Sequence, residues 1–526
     1  AIQAGLDYLL ASGGGIMDGR GFTYKVDAVR VCDANNRLGN LKLHDGIFLD
    51  NMKIVRGTVA NNSRAIVWPQ KDTTSGGILN CEIDANDAAI SSPTVHGIFS
   101  NSSLTNFRIE DNTIRNTSAY GIGLQDTDTA AIADELLVVG QTYMIEALGN
   151  TDWNAVAGTV GVTYAVDNYF EVVAAGSGTG TASFVGATRN CRVVGNTLLN
   201  IGNDGLDIKD RSALTGNNIV SGNVVDGWGM NPDLDPDKVG LQSRGQGNTV
   251  SDNRCINPGP SAGTGIKVDT INPTPVTAEY TVMSNNFVDT RGQDDVDSYS
   301  LRINRINFTG NMGVVGNLSI GIIIAGNVSE VNITSPMLYG EAGSLHGIIT
   351  GTIDDTDIHI TGGSVDGFIN NYNIRSENTH LVDCHSKAST AAGVTVAAGV
   401  TKFTMRGGSV AIASGAKITD SSGIAVIDGV QGYKNTAKLS DTFDISSTGV
   451  KTMTIAHGLD VTPAISDCLV TLGVKTADAF TLHWPALVQT TNATNITIDV
   501  RVSVASGTAG KTATAIAHIN AVKPTT

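Results

Sequence analysis

Charge, proline, aromatic side chains and long apolar runs are all scarce in this sequence, and each shortage removes a class of protein. Only 16% of the 526 residues are charged, and acids outnumber bases 50 to 34, for a net charge of −16. That balance argues against a general nucleic-acid binder and against a partner of anionic membranes. No run of about 18 apolar residues reads as a membrane-spanning helix, so membrane insertion is not expected. The opening AIQAGLDYLLASGGG lacks the basic n-region of a secretory signal and reads as a short amphipathic helix ended by glycines. The absence of an initiator Met points to further sequence upstream. Six cysteines (Cys32, Cys81, Cys191, Cys255, Cys384 and Cys468) are scattered without a CxxC pair or a His at ligand spacing. They read as mostly reduced apolar fillers, with bridges left open, and not as a zinc site.

What the chain does have is glycine, 61 of them, and repetition. A small residue followed by apolar-x-apolar recurs as HGIFS (96–100), YGIGLQD (120–126), DGLDIKD (204–210), VGLQSR (239–244), TGIKVD (264–269), YSLRIN (299–304), IGIIIA (320–325) and HGIITG (346–351). A second motif, a two-residue step ending in Asn before a short apolar stretch, places Asn112, Asn196, Asn223, Asn253, Asn286 and Asn311. The last five are spaced 27, 30, 33 and 25 residues apart. Short strands at this period, with Gly and Asn at the corners and no helical periodicity, predict an all-β chain built on a right-handed parallel β-helix. Each repeat is one coil, neighbours stack at about 4.8 Å, and the Asn column forms a ladder inside a corner. A β-propeller needs blades of about 40 residues joined by hairpins, which neither the period nor the turn chemistry supplies.

The period also suggests domain limits. Residues 1–30 hold a capping helix and first strands, and 31–126 with 187–432 form the β-helix. Gly121 and Gly205 stand 84 positions apart where about one coil is needed, so 127–186 reads as an inserted small β domain. Residues 433–526 alternate apolar and polar over longer strands, as in an antiparallel β-sandwich of discoidin-like or jelly-roll type, suited to oligomerisation or sugar binding.

Alternation then sorts side chains on one sheet. In DGLDIKD, Leu206 and Ile208 face the core while Asp207 and Lys209 face out. Stacking the repeats gives one outward column of Gly123, Asp207, Gln242, Lys267 and Arg302, turning aliphatic at Ile323 and Ile349, and a second of Gln125, Lys209, Arg244, Asp269 and Asn304. Asp204, Asp126 and Asp210 sit at the strand ends. The long loops GWGMNPDLDPDK and RGQDDVDSY flank this face, where a rigid scaffold places binding walls, and Trp228 and Tyr299 are expected to stack on sugar rings. The alternative is a solvated face whose opposite charges pair across coils.

Two chemistries suit the patch. Glycoside hydrolysis needs two carboxyls about 5 Å apart for retention, or about 6.5–9.5 Å for inversion, and Asp207 with Asp204 or Asp269 supplies candidates. Polysaccharide β-elimination needs a base for the proton beside a uronate carboxylate, and cations or amides to neutralise that carboxylate. Lys209, Arg244, Lys267 and Arg302 around Asp207 favour elimination. His96 and His346, each before a coil glycine, read as corner residues. DLDPDK from Asp233 is a loose calcium loop without EF-hand spacing, so no cofactor is expected beyond an occasional calcium.

The opening AIQAGLDYLLASGGGIMDGRGFTYKV resembles the AIQxAID…GGGxVxxPxGxY start of pectate-lyase-like β-helices, especially bacteriophage tailspikes. The stretch GQTYMIEALGNTDWNAVAGTVGVTYAVDNYFEVVAAGSGTGTA is similar to a module recurring in phage tail proteins, and HGLDVTPAISDCLVTLG resembles C-terminal domains of such spikes. Podovirus tailspikes attacking Pseudomonas O-antigen are the nearest likeness. The resemblance implies a homotrimer on the virion tail, attached through a region upstream of residue 1, that depolymerises lipopolysaccharide or capsule at the host surface. DGLDIKD is also similar to the DPHD-bearing strand of mannuronan epimerases and related lyases. Asp207 and Asp210 occupy the acidic positions, Ile208 and Lys209 replace Pro-His, and Lys209 or Lys267 is left to act as base.

Overall fold

The structure, a computed structural model, describes residues 2–32, 38–57, 64–70, 73–86, 95–101, 104–124, 127–140, 142–166, 168–185, 188–209, 216–245, 247–269, 280–352, 354–434, 436–444, 447–460, 463, 465–473, 481–492, 494–504 and 512–520. It divides into two compact units, Ala1–Gly351 and Thr352–Thr526.

In the first unit three parallel sheets share each coil of a right-handed parallel β-helix. One coil runs through Arg192–Val194 in the first sheet, Thr197–Ile201 in the second and Leu206–Lys209 in the third; the next runs through Ile219–Ser221, Val224–Asp226 and Lys238–Arg244. The register sets like above like: Val193 opposite Val220, Leu198 opposite Val225, Leu206 opposite Leu241. These inward side chains are all fully buried, so each coil completes the core of its neighbour. A single coil has no second layer against which to bury that face.

Each of the two tight corners has a sequence cause. Between the first and second sheets the chain steps through Asp111, Gly195, Gly222, Asp252, Asn285 and Gly310, all at positive φ, a conformation open mainly to Gly, Asn and Asp. The Asn that follows turns into the core. Asn196 Nδ2 donates to Asn223 Oδ1 at 2.9 Å and to Ile109 O at 2.8 Å, while its backbone N–H also reaches Asn223 Oδ1 at 3.0 Å. The same bonds link Asn112 to Asn196, Asn223 to Asn253, Asn253 to Asn286 and Asn286 to Asn311. A shorter ladder joins Asn218 to Asn248 at the start of the first sheet; NNIV and GNTV carried its signal. At the corner into the third sheet a Cβ on Gly205 would stand 2.4 Å from both Gly240 O and Val225 Cγ1. Close approach, not an unusual φ, is what demands a small residue there.

The helix Ile2–Ala11 buries Ile2 and Leu6 and packs on Gly15–Asp18 and Leu38–Leu43. From residue 127 the chain forms an antiparallel sheet of Thr127–Ala133, Thr181–Val185, Thr142–Ala147 and Tyr169–Glu171. Its own core includes Tyr143, Ile145, Trp153 and Phe170. The β-helix pairing closes behind this sheet, with Gly123 directly opposite Asp207.

The second unit opens with further parallel coils, beginning Thr356–Thr361, Ser364–Asp366 and Asn370–Ile374. It ends in two antiparallel three-stranded sheets, one of Thr436–Asp444, Thr512–Asn520 and Cys468–Gly473, the other of Gly449–Ala456, Asn495–Val504 and Thr481–Thr491. Phe443, Met453, Val470, Ile498 and Ala515 lie in the core between them. All six cysteines are thiols outside any disulfide, and all but Cys468 are buried.

Candidate active site on the third sheet

Strand pairing settles which polar side chains are neighbours. Asp207 lies opposite Gln242 and Lys209 opposite Arg244; Gln242 pairs with Lys267 and Arg244 with Asp269. The next rung departs from the sequence reading: Lys267 pairs with Ser300, and Asp269 with Arg302. Arg302 therefore stands in the second column, not the first, and Asn304 lies beyond the strand, where its Oδ1 accepts the Ser329 N–H. The inward pair is Tyr299 and Leu301. A slip of two residues keeps every side chain on its expected face, and Tyr299 fits the core because its hydroxyl donates to Asn286 O and Met312 O at 2.9 and 2.7 Å.

Tyr299 and Trp228 are both fully buried, so neither offers a ring face to a sugar; the aromatic wall expected from the sequence is core instead. Asp126 and Asp210 lie outside the described residues, as does Gln125.

The patch is layered by depth. Asp207 is fully buried and Gln242 and Lys209 nearly so; Arg244 and Lys267 are half-buried, and Arg302 is exposed. Lys209 Nζ is 3.5 Å from Asp207 Oδ2. Arg244 reaches back across the rung, its Nη2 3.4 Å from Asp207 Oδ2 and 2.7 Å from Gln242 Oε1. Its Nε lies 3.3 Å from Asp207 Oδ1, but the two are misaligned for a hydrogen bond, and both atoms are buried without one. Gln242 Nε2 is buried without an acceptor as well. Lys267 Nζ pairs with Asp269 Oδ2 at 3.1 Å, and Arg302 Nε donates to Ser300 Oγ at 3.2 Å. Opposite charges thus pair within and across coils. Each of the two lysines has a carboxylate beside it, and Lys209 also stands opposite Arg244.

Asp204, at the corner into the strand, accepts the Val239 N–H at 2.8 Å through Oδ1; its other oxygen has no hydrogen-bond partner among the described residues. Burial, helped by the negative charge of Asp207, pushes its carboxyl up to about 7. Asp297 occupies the same ladder position three rungs on, accepts the Ile320 N–H at 2.8 Å, and is pushed up to about 7 mainly by burial. No local sequence feature marks this second elevated carboxyl, because depth at a corner is set by loops from other coils. Among the described residues no group of three or more His, Cys, Asp or Glu side chains is arranged to hold a metal, and Asp237 of the DLDPDK loop pairs with Lys238.

No family model matches the chain, and no curated protein matches it. Solved structures do. A mutant tailspike protein of E. coli bacteriophage HK620 in complex with a hexasaccharide superposes with a TM-score of 0.52 at 11% identity, over 98% of this chain and 89% of its own. Another mutant of that tailspike, in complex with a pentasaccharide, gives 0.51 at 11% identity and the same coverage. The likeness is one of fold.

Above Gly123 the outward face of the third sheet changes character. His96 stacks between Phe99 and Tyr120, with ring centroids 4.2 and 5.0 Å apart, and Trp68 meets Phe99 edge-on. His96 Nδ1 accepts the Tyr120 N–H, and burial pushes its pKa down to about 3. It is a neutral corner residue, in line with the sequence reading. A Cβ on Gly123 would stand 2.9 Å from Phe99, so the polar patch begins where the aromatic cluster leaves no room for a side chain.

Proposed function

We propose that the protein is a phage tailspike that binds and cuts an acidic polysaccharide of the bacterial surface, O-antigen or capsule. The fold it shares with tailspikes captured on oligosaccharides supports the tailspike reading. The observation that carries the chemistry is the set of open donors at the patch. Gln242 Nε2 and Arg244 Nε are buried without hydrogen bonds, and the cations Arg244, Lys267 and Arg302 are the accessible groups above a buried Asp207. Buried polar groups left open are costly unless a ligand or water completes them. A sugar carboxylate is the ligand whose geometry answers an amide and a guanidinium together.

On this reading the polymer is cut by β-elimination. Gln242, Arg244, Lys267 and Arg302 draw charge from the uronate carboxylate as its neighbouring C5–H is lost. Asp204, with its open oxygen and a carboxyl that titrates near neutrality, takes that proton; the electron pair forms the C4=C5 bond, the C4–O bond breaks, and the departing oxygen takes a proton from water. Lys209 and Arg244 hold Asp207 and so fix the floor of the site.

Hydrolysis is the second reading, and the Asp204–Asp207 pair favours it: one carboxyl raised to about 7 and one held between two cations is the acid-and-base division a glycosidase uses. Digestion of the polymer separates the two. Ultraviolet absorbance from the new double bond, with fragments one water lighter, marks elimination; new reducing ends without absorbance mark hydrolysis. An unchanged polymer length leaves a glycan-binding adhesin. Assembly as a homotrimer on the virion tail belongs to the same proposal, and the mass of the purified chain in solution tests it.

A further inference from the structure

The first strands of the three sheets are not protected alike. In the third sheet Gln3 reaches down from the helix, its Oε1 accepting the Lys42 N–H at 2.8 Å and its Nε2 donating to Lys42 O at 3.3 Å, and Arg30–Val31 pairs with the outer side of that strand. The first sheet's Gly15–Asp18 lies against the helix. The second sheet begins with Thr23–Val26, which pairs with Lys53–Arg56 on one side. Lys53 N–H bonds Phe22 O, and Gly57 N–H bonds Val26 O, so the even-numbered residues face that partner. In a strand the backbone groups of alternate residues point to opposite sides. Thr23 and Lys25 therefore turn their N–H and C=O outward, and no described residue bonds them.

Beside this open edge is a cavity of about 280 Å³. Ile2, Val26 and Leu41 form its buried apolar wall, and the exposed Lys25, Asp27 and Arg30 stand at its rim, two cations to one carboxylate. An open strand edge is a template for another strand, and a pocket that takes every second side chain is how such additions acquire specificity.

We propose that this edge receives an extended polypeptide segment, added as a further strand of the second sheet, with an apolar side chain in the cavity and carboxylates facing Lys25 and Arg30. Charge decides the occupant. The chain carries −16 overall, so two cations at the rim of an open edge single out an acidic, alternately apolar segment.

Two fluorescein-labelled, end-capped heptapeptides test the assignment, one alternating Glu and Val and the other Lys and Val, titrated into the full chain by anisotropy. The Glu–Val peptide should bind at least about tenfold more tightly. Thr23→Pro removes one outward N–H and no internal bond, a change that edge strands tolerate. It should weaken that binding about tenfold or more while thermal unfolding and polysaccharide cleavage stay as in the parent. Lys25→Glu with Arg30→Glu should reverse the preference. Equal binding of the two peptides, no binding, or binding indifferent to Thr23→Pro in a variant that melts normally overturns the proposal. Self-association of the chain that Thr23→Pro abolishes overturns the acidic-segment assignment in favour of a second copy.

Discussion

Arg244 spans one rung to reach Asp207, placing its Nε 3.3 Å from a carboxylate oxygen that no solvent touches. With Lys209 Nζ 3.5 Å from the other oxygen of the same carboxylate, one buried anion holds two cations, and the site depends on that anion more than on either cation.

Asp207→Asn should therefore lose at least about a hundredfold in cleavage rate, the scale of letting the positioned cations shift by about 1 Å. Leaving Lys209 and Arg244 with no anion between them should also destabilise the fold by about 3 kcal/mol, the lower range for breaking a buried pair. Polymer length after digestion and the unfolding midpoint, read together, check it. A variant that cuts at the parent rate removes Asp207 from the site.

Arg302 is the exposed member of the patch and bonds only Ser300 Oγ among the described residues. Arg302→Gln should leave the unfolding midpoint unchanged and raise KM about tenfold at low ionic strength, with the difference shrinking as salt screens the parent's attraction. Initial rates against polymer concentration at two salt concentrations measure both effects.

Asp204 and Asp297 give a stability effect of defined sign. Both carboxyls are raised from 3.8 to about 7 in the fold, so between these limits the unfolded chain ionises while the folded one stays protonated. Stability is then lost as pH rises from about 4 to about 7 and levels off above. Unfolding midpoints should fall across that window, and Asp204→Asn with Asp297→Asn should flatten the slope. A double variant with the parent's slope overturns the assignment.

The ladder makes one asparagine unlike another. Asn223→Ala strips Asn196 of the acceptor for both its backbone N–H and its side-chain amide, deep in the core. Two orphaned buried donors predict a loss of about 2–6 kcal/mol. Asn332, partly exposed and bonded to Asn307 at 3.4 Å, should tolerate alanine within about 0.5 kcal/mol. Denaturant unfolding of the two variants checks the contrast.

Much of this was legible in the sequence because a stacked fold writes each contact as a repeat. Asn223 above Asn253, Gly205 above Gly240 and Asp207 above Gln242 follow from spacing and parity alone. What failed was register and depth. SLRI and SYSL both satisfy small-then-alternating, and only the carbonyls of Asn286 and Met312, brought in from another sheet, decide that Tyr299 is the inward residue. Trp228 looked like a loop aromatic for the same reason. Nor does local sequence tell that Asp207 lies at the bottom of its patch, since what covers it comes from residues distant along the chain.

Gly123 and Asp207 are adjacent rungs although 84 residues separate them. Closing a longer excursion adds only about 0.6 kcal/mol for each doubling of its length, and the Asn ladder runs through this rung without a break. The spine thus behaves as a rack with a fixed pitch and an open slot: whatever polypeptide is plugged in between these two glycine and aspartate positions can be lengthened, trimmed or exchanged, and the shelves above and below keep their alignment.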